Sequence, residues 1–156
     1  MGRNGNVHFS ELEDFKKKLE RNLSDDQVNE FIESCAKELA ARLLAKVIKR
    51  TPVGQYPQGS GKKGGTLRRG WTGGKTQAAG AYADGLKINH FGDVYVIEIV
   101  NPVEYASYVE FGHRKRGGKG WVEGQFMLTI SEQEVEADAP RVLENKLKKK
   151  LGECFK

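Results

Sequence analysis

The sequence has little cysteine, little histidine and no long apolar run, and each shortage excludes a class of protein. Two cysteines in 156 residues, Cys35 and Cys154, cannot build a disulfide framework, and their separation is not that of a zinc site. Cys35 falls on the apolar positions of a helical pattern, which suits a small buried hydrophobe better than a nucleophile. No apolar stretch approaches the ~20 residues a membrane-spanning helix needs. The opening MGRNGNVHFS lacks an apolar signal core, and Asn6 stands where N-myristoylation wants Ser or Thr. A cytoplasmic protein that meets no membrane is expected. The three histidines (His8, His90, His113) are far apart, with no pair at metal-ligand spacing. Glu104 and Glu110, six apart, do not face each other on a helix, and no Ser, Cys or Lys comes with a nearby base and orienting acid. No catalytic residue, cofactor site or metal site is expected.

What the chain does have is glycine and positive charge, unevenly spread. The formal charge is +5 and the pI near 9.2. Between Arg50 and Asp84 stand five bases (Lys62, Lys63, Arg68, Arg69, Lys75) and no acid. A second undiluted run is Arg114-Lys115-Arg116-Gly117-Gly118-Lys119. Residues 51–80 hold nine glycines and two prolines with almost no apolar periodicity, and only Leu67 and Trp71 look able to dock. Within them, GWTGGKT (70–76) is one residue short of a phosphate-binding loop, follows two arginines instead of an apolar strand, and opens no convincing helix. Arg68, Arg69 and Lys75 with Trp71 interleaved could hold phosphates and stack a base. They equally suit a solvated loop, or an arm that orders against an acidic surface of a neighbouring subunit.

The flanking segments are regular. Ser10-Glu11-Leu12-Glu13 opens an amphipathic stretch through Leu12, Phe15, Leu19 and Leu23. Ser24-Asp25-Asp26-Gln27 opens a longer one, with Val28, Phe31, Ile32, Cys35, Leu39, Leu43, Val47 and Ile48 three and four apart, until Pro52. Leu86 to Asn89, a turn at HFGD, and Val94 to Val100 read as a β-hairpin with Tyr95, Ile97 and Ile99 on one face and His90 in the turn. PVEYASYVEF reads as a short helix with Tyr105, Tyr108, Val109 and Phe111 on its packed side, ended by Gly112. Phe126, Met127 and Ile130 start a last stripe, continued by Val135, Ala139, Val142, Leu143, Leu147 and Leu151; Pro140 either kinks it or starts a new helix. The expected fold is α+β, with a long N-terminal helix and a C-terminal helix packed on a small antiparallel sheet, plus a long Gly-rich basic loop. As one domain over 1–156, it divides into an N-terminal helix (1–23), a long helix (24–50), a flexible basic arm (51–80), a hairpin and short helix (81–112), a basic loop (113–123) and a C-terminal helix (124–156).

Three stretches together, TPV at 51–53, GTLRRGW at 65–71 and NPVEYASYVEFG at 101–112, follow a long helix and frame an apolar strand. In this they resemble the minor virion proteins of the neck and tail-completion module of long-tailed bacteriophages and prophages. The resemblance covers roughly residues 25 to 150. The chain departs from that pattern in a longer, more basic segment between Val53 and Thr66 and in the absence of proline from WVEGQ before Phe126. The resemblance implies no enzyme. It implies a structural protein of the head–tail joint, assembled as a ring with itself, contacting other neck and tail proteins close to packaged DNA. Such a protein is found in the virion neck or tail, and in the host cytoplasm during assembly. On that reading Arg68, Arg69, Trp71, Arg114, Lys115 and Arg116 serve assembly. Tyr105, Ala106, Tyr108, Val109, Glu110 and Gly112 form the signature and pack, with Glu110 able to pair with a base. The alternative is a nucleic-acid-binding module using the same basic arms.

Overall fold

The computed structural model describes residues 3–7, 16–17 and 24–154, with only the backbone for 3–7 and Cys154. Helix α1 (Asp25–Arg50) is its central element. Ser24 caps it by accepting from the Gln27 amide at 3.4 Å, Asp25 and Asp26 lie at the positive end of the helix dipole, and Lys49 and Arg50 at the negative end. Val28, Phe31, Ile32, Cys35, Leu39, Leu43 and Val47 are buried as their spacing predicts, and Ala36, Ala40 and Leu44 widen the stripe. Burial pushes the Cys35 thiol up to about 12, so at neutral pH it is a neutral packing group.

Three strands form an antiparallel sheet in the order β1–β3–β2: β1 (Arg3–Val7), β2 (Ile88–Phe91) and β3 (Val94–Asn101). Tyr95, Ile97 and Ile99 are buried on one face, as the two-residue alternation predicts. The Tyr95 hydroxyl donates to Asn29 of α1 at 2.7 Å. Phe91 pairs with Val94 across a Gly92-Asp93 turn, so His90 lies on a strand and not in the turn; its ring contacts Tyr95 and Glu33. Strand β1 is not foreshadowed by the sequence pattern. It runs beside β3 from Arg3 opposite Asn101 to Val7 opposite Ile97, within the span expected to be the N-terminal helix. Residues 16–17 are helical, and the remainder of that expected helix lies outside the described residues.

The arm expected over 51–80 is shorter than that. Helix α2 (Thr66–Gly70) and helix α3 (Ala79–Asp84) lie in or overlap it, α3 packing on α1 with Ala83 buried. Helix α4 (Ala106–Phe111) follows β3. The expected basic loop at 113–123 is a second antiparallel ribbon, β4 (Gly112–Arg114) with β5 (Trp121–Glu123). Helix α5 (Met127–Cys154) continues through Pro140 as one element. Its buried start is Met127 and Leu128, whereas Phe126 and Ile130, expected in the stripe, are exposed. Lys46 and Arg50 of α1 reach Glu134 at 3.0 and 2.7 Å, and Lys146 reaches Glu38 at 2.9 Å, pinning α5 alongside α1. The architecture is α+β, two long helices with small antiparallel sheets.

Candidate functional site

Thr51, where α1 ends, ties the first two sequence motifs together. Its amide and hydroxyl both donate to the Val47 carbonyl, at 2.9 and 2.6 Å. Its hydroxyl oxygen accepts the Trp71 indole N–H at 2.8 Å, and its carbonyl accepts Arg68 through Nη2 at 2.8 Å and Nε at 3.3 Å. Because α2 is helical, Leu67 and Trp71, four apart, fall on one face and are both buried. Asn101 closes the joint from the sheet by donating to the Leu67 carbonyl at 2.8 Å, with Gly70 packed so closely that a Cβ there would collide with the Asn101 side chain. Trp71 is 0% exposed and Arg68 is engaged with the backbone, so neither is presented to a partner as the sequence suggested. Arg69 reaches the Gly64 carbonyl at 3.4 Å.

The same geometry answers the GWTGGKT question. The amides of Thr72, Gly73, Gly74 and Lys75 donate to the carbonyls of Arg69, Gly70, Arg69 and Thr72, and the Thr72 hydroxyl reaches the Lys75 carbonyl at 2.6 Å. Amides that would wrap a phosphate are already used to close the end of α2.

Glu110 organises the third motif. It is fully buried, and its carboxylate accepts the Leu128 and Thr129 amides at 2.9 Å each and the Thr129 hydroxyl at 2.7 Å. Those amides belong to the first turn of α5, whose preceding residue, Phe126, has no side-chain acceptor and a φ of +46°. A carboxylate from α4 therefore caps α5 from a distance, where the helix dipole also favours negative charge. The sequence leaves Glu110 available to pair with a base, and in the structure its carboxylate caps α5. The Gln125 and Phe126 amides donate to the Val109 and Glu110 carbonyls at 2.7 and 3.0 Å, so the chain before α5 lies tight against α4. Gly112, at φ +86°, completes the joint, since a Cβ there would meet the Val122 carbonyl and the Trp121 indole.

With Ala106 and Glu110 facing inward, positions 105, 108 and 111 must face out. Tyr105, Tyr108 and Phe111 are 45%, 58% and 52% exposed, the reverse of the packed side expected for them; Val109 is partly buried against the core. Two arms flank this aromatic stripe. On one side, residues 53–63 are exposed and project as a loop whose stem is closed by contact between Gly64 and Gly54. A groove of about 260 Å³ separates the loop from α4, lined in part by Val53, Tyr56, Lys63, Tyr105 and Val109. On the other side the β4–β5 ribbon carries Arg114, Lys115, Arg116 and Lys119 exposed at and around its tip, with Trp121 half exposed opposite Arg114. The Tyr108 ring meets His113 at the foot of this ribbon, 5.9 Å between centroids. Among the described residues, no group of His, Cys, Asp or Glu is placed to hold a metal ion, and no helix is long and apolar enough to cross a membrane.

A family model described as "Bacteriophage HK97-gp10, putative tail-component" matches residues 13–112, well over half of the chain. The chain belongs to this family. It is a family of structural phage tail components, in keeping with the neck and tail resemblance of the three motifs, and a tail component resides in the virion in contact with other virion proteins. Comparison with curated proteins and with solved structures finds no match. The matched span contains the Thr51 joint, the 53–65 loop and all of α4, and it stops at Gly112, the first residue of the basic ribbon. Sequence reasoning missed the aromatic stripe as a surface. The signal was present, because Ala106 and Glu110, four apart, define a face of their own on the opposite side of α4.

Proposed function

We propose that this tail component works at the head–tail joint, where it completes the tail by assembling with itself into a ring and docking onto neighbouring neck and tail proteins. The observation that carries the reading is the aromatic stripe of α4, exposed between two basic projections in a member of this family. Two exposed large aromatics on a helix of six residues, with a third, Tyr105, at its N-cap, form one row, and such patches mark contact surfaces. The motifs that frame the stripe hold it rigidly, through Thr51 beneath α2 and Glu110 beneath α5, so little order is lost on docking. Arg114, Lys115 and Arg116 are the assembly bases of this reading, with Lys62 and Lys63 on the facing arm; Arg68 and Trp71 support the site from within. The role is structural and needs no cofactor.

The mass of the purified chain in solution, followed over a wide concentration range by light scattering, tests this. A discrete assembly of several copies is the expected result, and a monomer at every concentration would remove self-assembly from the reading. Binding to duplex DNA that weakens steeply with added salt would favour the nucleic-acid alternative instead.

A further inference from the structure

We infer that the α4 stripe and its basic rims receive the first half of α5 from a second copy of this chain, so that copies join head to tail through two different surfaces. This rests on the self-assembly reading and specifies its interface. The receiving surface has an aromatic centre, Tyr105, Tyr108 and Phe111, between cationic rims. The 53–65 loop contains no acid, and the ribbon has one, Glu123, at its foot opposite Gly112.

Two stretches on the long helices are acidic without a base, 24–36 at the start of α1 and 127–140 in α5, and of these the second exposes a large apolar residue, Ile130. Residues 127–140 hold Glu132, Glu134, Glu136 and Asp138 and no Lys or Arg. Ser131, Val135 and Ala139 turn inward on α5. The helical period then places Ile130, Gln133 and Ala137 along the outward ridge, with Glu136 on one flank and Glu134 and Asp138 on the other. All three ridge residues are exposed, and Ile130 is a large apolar one. Glu134 is held by Lys46 and Arg50, and Asp138 lies 3.7 Å from Arg141, whereas Glu136 is exposed on the opposite flank. A ridge that exposes Ile130 beside the acidic flank of Glu136 thus matches an aromatic row beside the basic ribbon.

Two stripes set face to face would oppose like-charged rims, which disfavours a two-fold dimer through this surface. Two unlike surfaces on one protomer give a heterologous contact, and such contacts close into rings when the rotation permits.

Sedimentation of two charge-reversed forms, separately and mixed, tests the pairing. One form carries Lys115→Glu with Arg116→Glu; the other carries Glu136→Lys with Asp138→Lys. Lys115, Arg116 and Glu136 are exposed and Asp138 is partly exposed, and far-UV circular dichroism checks that both forms fold. Each form alone should associate about tenfold or more weakly than the unaltered chain, because like charges then meet. The equimolar mixture should regain association, since each form supplies the surface the other has lost. Unaltered association in both forms would overturn this interface while leaving self-assembly in place. Loss in both without recovery in the mixture would overturn the pairing of these two surfaces. An unaltered chain that never associates would overturn the interface together with the reading beneath it.

Discussion

Trp71 and Trp121 each sit in a glycine-rich, basic segment, and the two side chains differ completely in what surrounds them. Trp71 is fully buried, while Trp121 is 50% exposed. Trp71 follows a helical turn that aligns it with Leu67, and Thr51 offers its indole an acceptor beside the end of α1. Trp121 lies on a two-stranded ribbon with every residue of β5 exposed. Glycine and lysine content therefore do not tell core from projection. What decides is whether an apolar layer and a hydrogen-bond partner stand within reach of the segment.

Denaturant unfolding of two variants would break or sharpen this contrast most directly. Trp71→Ala should cost about 3–5 kcal/mol through the cavity it leaves, and Trp121→Ala about 0.5 kcal/mol or less. Equal losses would mean that the ribbon is part of the core after all. The two glutamates at either end of the same joint extend the comparison. Glu110→Ala leaves the Leu128 and Thr129 amides without their acceptor and should cost about 2–3 kcal/mol, whereas the exposed Glu123→Ala should be nearly neutral. Faster amide hydrogen exchange at Leu128 and Thr129 would locate the first effect at the start of α5.

Glycines inside the ribbon give a finer test. Gly118→Ala, at φ +75° with open space around it, should cost about 1 kcal/mol for the left-handed backbone alone. Gly112→Ala should cost more, on the order of 2–3 kcal/mol, because the added methyl also meets the Val122 carbonyl. Matching thermal shifts for the two would show that the foot of the ribbon yields as easily as its tip.

The smallest effect concerns the clamp between α1 and α5, away from both segments. Hydrogen bonds from Lys46 and Arg50 hold the Glu134 carboxyl below the usual carboxylate range. Burial raises that of Glu38, but the bond from Lys146 and the pairing with Arg42 outweigh it and leave it lowered too. A carboxyl lowered in the folded state contributes stability above its unfolded value, and loses it as pH falls through its folded value. The chain should therefore lose stability slightly below about pH 4.3. Glu134→Gln should shallow that loss and leave the alkaline side unchanged, as melting temperature against pH would reveal.

Much of this fold was legible from residues alone. Helix α1 could be read from Ser24, its acidic first turn and the recurrence of Val28, Phe31, Ile32 and Cys35, and β3 from the alternation of Tyr95, Ile97 and Ile99. The candidate site was less so. Tyr105, Tyr108 and Phe111 read as packed because aromatic residues at helical spacing usually are. The deciding residue was Glu110, whose carboxylate turns inward to meet the amides of α5 and so sets which side of α4 is buried.

By itself, then, the sequence determined the two long helices, the sign and position of the charge blocks, and the faces of β3. These depend on caps, dipoles and periods that act within a few residues along the chain. Only the tertiary structure decided that β1 lies beside β3, that Trp71 belongs to the core, and that α4 turns its aromatics outward. Each depends on a partner far away in sequence: Ile97 with Val7, Trp71 with Thr51, Glu110 with Leu128. Local spacing carries no record of such a partner, because a buried hydrogen-bonding group is stabilised by whichever complementary group the folded chain brings to it.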